Sequence, residues 1–183
     1  MAVTLGQMAK ASLKKSASKK ITASKTKKNV VKEPHALYST TVKTLEFLGG
    51  RSSVLAGIRI MEENDFITLI KKGIPRKALD QLMLGTGLSS SEIARIMHTS
   101  DRTLRRYKES TLLNAEQSER VIEIAKLYSR GEEVLGTNAN FRSWMDSSIP
   151  ALGNKIPKEF LDTSMGIEIL MDTLGRIEQG VFA

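Results

Sequence analysis

The stretch SSSEIARIMHTSDRTLRRYKES, residues 89–110, decides the fold. Ser89, followed three residues later by Glu92, is a capping box: hydroxyl and carboxylate satisfy the free amides of a helix start reciprocally. The helix it opens, SSEIARIMH, is short. A turn of three or four residues follows around His98, Thr99 and Ser100, and Ser100 can cap a second helix, DRTLRRYKES. A short helix, a tight turn and a basic helix, in that order, make a helix-turn-helix. Ala94 fits that order, because a small residue lets the second helix cross closely.

On the second helix, Leu104 is placed at the centre of the buried face. At roughly 100° per residue, Tyr107 and Lys108 fall near it, Arg102 and Arg106 almost opposite, and Thr103 and Arg105 on the flanks. A side presenting Arg102, Thr103 and Arg106 suits a DNA major groove: Arg pairs bidentately with guanine, and Thr touches phosphate or a thymine methyl. Arg105 and Lys108 are better placed for phosphates, with Ser100 at the helix start completing the expected DNA-binding set. Asp101 and Glu109, at the two ends, would weaken phosphate attraction. The alternative is a solvated face on a fold used only for packing.

Working outward, Gly73-Ile74-Pro75 stops one helix and starts another, with Pro75 in its first turn. PRKALDQLMLG sets Leu79, Leu82 and Met83 on one face, and Gly85-Thr86-Gly87 ends it. Residues 37–71 hold apolar groups broken by Gly49-Gly50, which predict two or three short helices. Asn64-Asp65 can cap one through Phe66 to Lys71, and a short strand at Tyr38–Val42 is the alternative there. Downstream, Asn114 with Gln117 caps a longer helix whose stripe is Val121, Ile124, Ala125 and Tyr128, extended by Leu135; Gly131 and Gly136 loosen its end. Residues Asn138 to Gly153 read as a loop anchored by Trp144. Pro157 starts a short helix, and Thr163 caps another with the stripe Ile167, Leu170, Met171, Leu174 and Ile177. Gly175 interrupts that stripe. A glycine inside a helix is unfavourable by roughly 1 kcal/mol against alanine, so a close neighbour is expected. Gly180 is placed to end the helix in a left-handed conformation.

Composition narrows the function. Of 183 residues, 40% are hydrophobic and 5% aromatic, so the core is aliphatic and helical. Cysteine is absent, which excludes disulfides and thiolate metal sites and fits a reducing cytosol. No apolar run approaches the roughly 18 residues of a membrane span. The net charge of +8 is uneven: residues 1–32 carry nine lysines and no acid, leaving 19 basic against 20 acidic residues beyond them. That Lys/Ser-rich segment reads as a flexible solubilising arm, as a polyanion-binding arm, or, less well, as a targeting peptide. With two distant histidines and no Gly-rich phosphate loop, no catalytic residues, metal ligands or cofactors are expected, and the chain reads as a non-enzyme.

The run PALGNKIPKEFLDTSMGIEILMDTLGRIEQGVFA, residues 150–183, closely resembles the C-terminal domain of antitoxins of the Xre/MbcA/ParS family, whose chains end in a phrase like PALGGKTP–ELLDT–G–––V–DLLGRIEHGVYA. The preceding GIPRKALDQL…GLSSSEIARIM…SDRTLRRYK resembles that family's helix-turn-helix, so the resemblance covers roughly residues 65 to 183. The terminal phrase is specific; the helix-turn-helix alone is weak evidence. Three positions depart: Ile156 stands where the family has a capping Thr, Thr163 lacks the proline that often follows it, and Gln179 replaces a His. The Lys-rich segment is no part of the pattern.

The residue reading and the resemblance together imply an all-α fold: a helical domain over 37–112 with the helix-turn-helix at about 75–110, a long connecting helix over 113–137, and a small C-terminal toxin-binding domain over 138–183, behind a Lys/Ser-rich flexible tail over 1–36 that composition alone indicates. The resemblance implies neutralisation of a RES-domain toxin, an NAD-consuming enzyme, by obstruction of its active site. It also implies repression of the shared operon at operator DNA, as a homodimer or a larger complex with toxin, in the cytoplasm and away from any membrane. The implied toxin-binding residues are Leu174, Gly175, Arg176, Glu178, Gln179, Gly180, Val181 and Phe182, with closure of the chain's own core as the alternative for Phe182. The competing reading is a stand-alone helix-turn-helix regulator whose C-terminal domain serves dimerisation or another protein contact.

Overall fold

A computed structural model of the chain describes residues 34–50, 55 and 64–181. The Lys-rich segment and Phe182 lie outside them. Among the described residues there are helices and no strands. The organising element is α6 (Ala115–Leu135), opened by the expected capping box: Asn114 accepts from the Gln117 amide at 2.8 Å, and Gln117 accepts in return. Its stripe is wider than the sequence suggests. Ile122 and Leu127 are buried together with Val121, Ile124, Ala125 and Tyr128. Side chains buried over so broad an arc need packing partners on several sides.

Those partners are α1 (Pro34–Phe47), α2 (Asp65–Lys72), α3 (Arg76–Thr86), α7 (Asn138–Met145) and α8 (Ser164–Glu178), all packed on α6. Between α3 and α6 lie α4 (Ser90–Ile96) and α5 (Asp101–Arg106); two short 3-10 turns, Pro150–Leu152 and Pro157–Phe160, join α7 to α8. A single hydrophobic cluster runs through all these helices.

Several expectations change. Residues Tyr38–Val42 are helical, inside α1. The β-branched threonines are accommodated because Thr41 and Thr44 are buried and the Thr44 hydroxyl donates to the Thr40 carbonyl at 2.8 Å. Asn64 precedes α2 without a side-chain cap. Pro75 stands just before α3 in extended conformation, one residue outside its first turn. The first amides of α3 are instead satisfied by a distant strap of chain: Arg76 donates to the Thr111 carbonyl at 2.8 Å and Lys77 to that of Glu109 at 3.0 Å. Gly73 adopts φ 92°, and a Cβ there would sit 2.6 Å from the Leu113 carbonyl of the same strap.

The region read as a loop contains α7, capped by Thr137, whose hydroxyl accepts from the Asn140 amide at 3.1 Å. Phe141 and Met145, four apart, are its buried face. Gly131 therefore has a different role from loosening a helix end. It lies within α6 with the Phe141 ring against it, and a Cβ would stand 2.2 Å from that ring. The ring sits edge-on to Tyr128 at 4.9 Å and stacks on Trp144 at 5.6 Å, while Phe47 closes on Tyr128 from the other side at 6.0 Å. Each such pair adds about 0.5–1.5 kcal/mol beyond area burial. Burial pushes the Tyr128 phenol up, so it stays neutral.

Two substitutions test this packing with opposite signs. Gly131→Ala presses a methyl into the Phe141 ring and should destabilise the protein by about 1–3 kcal/mol. Gly175→Ala adds a Cβ that meets nothing within 4 Å and should stabilise it by about 1 kcal/mol. Urea unfolding of both variants measures the shifts; the same sign for the two would contradict the packing described.

Candidate functional sites: the helix-turn-helix and the end of the last helix

The helix-turn-helix is built as its sequence indicates up to the second helix. Ser89 accepts from the Glu92 amide at 3.2 Å, and the Glu92 carboxylate accepts from the Ser89 amide at 2.7 Å. Burial works to raise the Glu92 carboxyl, but the Ser89 hydrogen bonds and nearby Lys158 together hold it below its ordinary value. The turn closes with a paired stop: His98 donates to the Arg95 carbonyl at 3.1 Å and Thr99 to that of Ala94 at 2.9 Å. His98 takes φ 49° to make it, a position glycine usually fills. Ser100 then accepts from the Thr103 amide at 3.1 Å, and the two hydroxyls are 2.7 Å apart.

Leu104 is fully buried, and Arg102, Arg105 and Arg106 are exposed around a shallow surface cleft they share with Asp101. Thr103 is half-buried at the flank. The helix ends at Arg106, so the expected run through DRTLRRYKES is too long. Tyr107 is extended (φ −69°, ψ 129°) because the chain here becomes the strap that caps α3. Lys108 therefore lies beyond the helix rather than beside Leu104; it is exposed, and its amide donates to Thr111 Oγ1 at 3.0 Å. Asp101 has a role that sequence reasoning missed. It accepts from the Ser90 hydroxyl at the start of α4 and pairs with Arg105 at 2.7 Å, tying the two helices together. Hydrogen bonds from Ser90 and Arg105 hold its carboxyl below the usual carboxylate range.

At the other end, Thr163 caps α8 by accepting from the Gly166 amide at 3.0 Å. Gly166 was not singled out in the sequence, yet a Cβ there would lie 2.0 Å from the Phe160 carbonyl. Ile156 provides no side-chain cap for the 3-10 turn, and Pro157 at its first position has no amide to satisfy. Of the stripe, Ile167, Leu170 and Leu174 are buried. Leu174 is fully enclosed in the chain's own core, so its side chain belongs to no surface. Gly175 meets no neighbouring helix: a Cβ there would reach open space. Arg176, Glu178 and Gln179 are exposed, and Glu178 pairs with Arg130 of α6. The helix stops through Gly180 (φ 71°), with Gly180 donating to the Ile177 carbonyl at 3.0 Å and Val181 to that of Arg176 at 2.9 Å. Val181 is left 54% exposed.

Nothing among the described residues groups three His, Cys, Asp or Glu side chains for a metal, and no described helix is long and apolar enough to cross a membrane. Comparison with known proteins finds two matching domains. Residues 65–126 match the family model of the antitoxin Xre-like helix-turn-helix domain. Residues 130–180 match that of the antitoxin Xre/MbcA/ParS C-terminal toxin-binding domain. Neither domain is catalytic. The chain is 28% identical over 116 residues to an Antitoxin Xre of Yersinia enterocolitica (serotype O:8 / biotype 1B), covering 62% of this chain and 78% of that one. It is 28% identical over 129 residues to the Prs ADP-ribosylating antitoxin of a Sphingobium species (strain YBL2), covering 65% and 81%. A second Antitoxin Xre, from Photorhabdus laumondii, is 25% identical over 115 residues, covering 62% and 78%. The two matched domains adjoin along more than half of the sequence, and the chain belongs to the Xre/MbcA/ParS family of antitoxins.

Proposed function

We propose that this antitoxin neutralises a RES-domain toxin by presenting the end of α8 at the toxin's NAD site, and that it represses its own operon through α5. The observation that carries the first half is the exposure of Arg176, Gln179 and Val181, with open space beside half-buried Gly175, around a rigidly stopped helix end at the close of the toxin-binding domain. The name of the Sphingobium relative includes ADP-ribosylation, chemistry that draws on NAD, and supports the class of toxin. The second half rests on three exposed arginines on a six-residue helix held by Asp101 and Ser100. The protein acts in the cytoplasm as a homodimer or as a larger complex with toxin. Phe182 would join the contact just past Val181.

Co-expression with the adjoining reading frame tests the antitoxin role. The full chain should restore growth and cellular NAD against the toxin. A chain truncated after Gln179 should remain folded by circular dichroism and rescue poorly. Equal rescue by the truncated chain removes the tail from the inhibitory element. An adjoining frame that encodes no such toxin returns the protein to the reading of a stand-alone regulator.

The double substitution Arg102→Ala with Arg106→Ala should abolish operator-specific binding, since a bidentate Arg–guanine pair is worth about 1–3 kcal/mol of discrimination. Toxin binding should be unchanged in the same variant. Electrophoretic mobility shifts with the operator and with a scrambled duplex separate the two effects; unaltered operator affinity would refute α5 as the reading helix.

A further inference from the structure

Along α8 and its stop, Met165, Ile169, Thr173, Ile177 and Val181 recur at intervals of four and form one row that drifts slowly round the helix. The Thr173 hydroxyl is satisfied within the helix, donating to the Ile169 carbonyl at 2.7 Å, and the residue itself is buried. Met165 and Ile169 are both exposed, unlike the buried stripe of the same helix. The lower part of the row is one wall of an open groove of about 310 Å³, whose opposite wall is Trp144, Ile149, Pro150 and Ala151. Arg176 is the charged side chain at its edge. Among the described residues its guanidinium enters no ion pair, whereas Arg130 one turn of packing away pairs with both Glu133 and Glu178.

We propose that this groove is the socket for one large apolar side chain, aromatic or branched aliphatic, of the toxin, with an adjacent toxin carboxylate meeting Arg176. The proposal rests on the toxin-neutralising reading above and deepens it. Every lining residue except Val181 falls within the span matched to the toxin-binding domain. The groove is wide enough for a single large side chain, and a mostly apolar lining with a polar group at the rim is the makeup of a binding pocket. Its one cation is unpaired and therefore fits an acidic neighbour on the incoming segment. Gly175, next to Arg176, leaves the α8 backbone open to close approach, because nothing occupies the space its Cβ would take. The end of α8 alone would then supply only part of the contact; Trp144 of α7 and the 3-10 turn Pro150–Leu152, from an earlier part of the domain, supply the rest.

The test uses the full chain and the toxin from the adjoining reading frame, titrated calorimetrically. Ala151→Phe fills the groove from an exposed 3-10 turn, and Arg176→Glu reverses the charge at its edge without entering the core. Each should weaken toxin binding tenfold or more while the far-UV spectrum and melting temperature stay as in the unsubstituted chain, and Ala151→Ser should bind as tightly as the unsubstituted chain. Unchanged affinity in both Ala151→Phe and Arg176→Glu overturns the socket. Loss of affinity together with a shift from dimer to monomer in sedimentation also overturns it, and assigns the groove to a second copy of this chain. Absence of binding by the unsubstituted chain overturns the toxin reading, and this inference with it.

Discussion

The ring of Phe141 lies flat against the backbone of α6 because residue 131 has no side chain. That contact draws α7 onto the central helix, and other features depend on the result. Tyr128 meets the ring edge-on, and Trp144 stacks on its outer face. Trp144 then forms one wall of the groove beside α8, so the shape of that groove is set two layers down, by a missing methyl. Phe47 packs edge-on to Tyr128 as well and lies against Gly85 of α3, which brings the helix that precedes the helix-turn-helix to the same aromatic column. The helix stripe alone would have allowed a looser arrangement. Close-packed interiors do not, because a gap of even one methylene is felt.

Polar contacts cross between the two functional halves as well. Lys158, in the 3-10 turn before α8, bonds Asp146 at 2.7 Å and reaches Glu92 of α4 at 3.5 Å. Arg95 of α4 reaches Asp162 at 3.9 Å and donates to the Lys158 carbonyl at 3.2 Å. Burial works against the Lys158 charge, yet Asp146 and Glu92 outweigh it and raise its pKa. Partly exposed pairs of this sort contribute about 0–1 kcal/mol each. A fully buried leucine or phenylalanine contributes about 1.5–3 kcal/mol. The relation between the helix-turn-helix and the toxin-binding domain is therefore held by the shared core, and the ion pairs select its orientation rather than supply its strength.

The elements that were legible in the sequence are those whose ends are specified locally. Ser89 with Glu92, Asn114 with Gln117, Ser100 and Thr163 each satisfy amides two or three residues on, so a linear reading finds them. The reading failed where the partner is remote. The last residues expected in α5 belong to a strap because the amides of Arg76 and Lys77 need the carbonyls of Glu109 and Thr111, more than thirty residues away. Gly131 and Gly166 look like weak points in a helix until the Phe141 ring and the Phe160 carbonyl are placed against them. The helix α7 carried a readable signal, Thr137 followed by Phe141 and Met145 at helical spacing, hidden behind Gly136. At the end of α8, a resemblance identifies a run of residues but not which way each one faces. Leu174 and Arg176 stand two apart in the same phrase, one in the core and one in solvent.

Both surfaces end on the same backbone device, and the difference between them is informative. At the end of α8 the paired stop uses Gly180, which enters the left-handed region without strain. At the end of α4 it uses His98, where a side chain makes the same conformation unfavourable by roughly 1 kcal/mol. That strain persists because its neighbours determine it from both sides. The Ala94 carbonyl takes the Thr99 amide, and Ser100 must begin capping α5 at the next residue. With Asp101 then bonding back to Ser90, the angle between the two helices has no slack. A helix only six residues long has little stability of its own. Its orientation is fixed by this turn and by the burial of Leu104 beneath it.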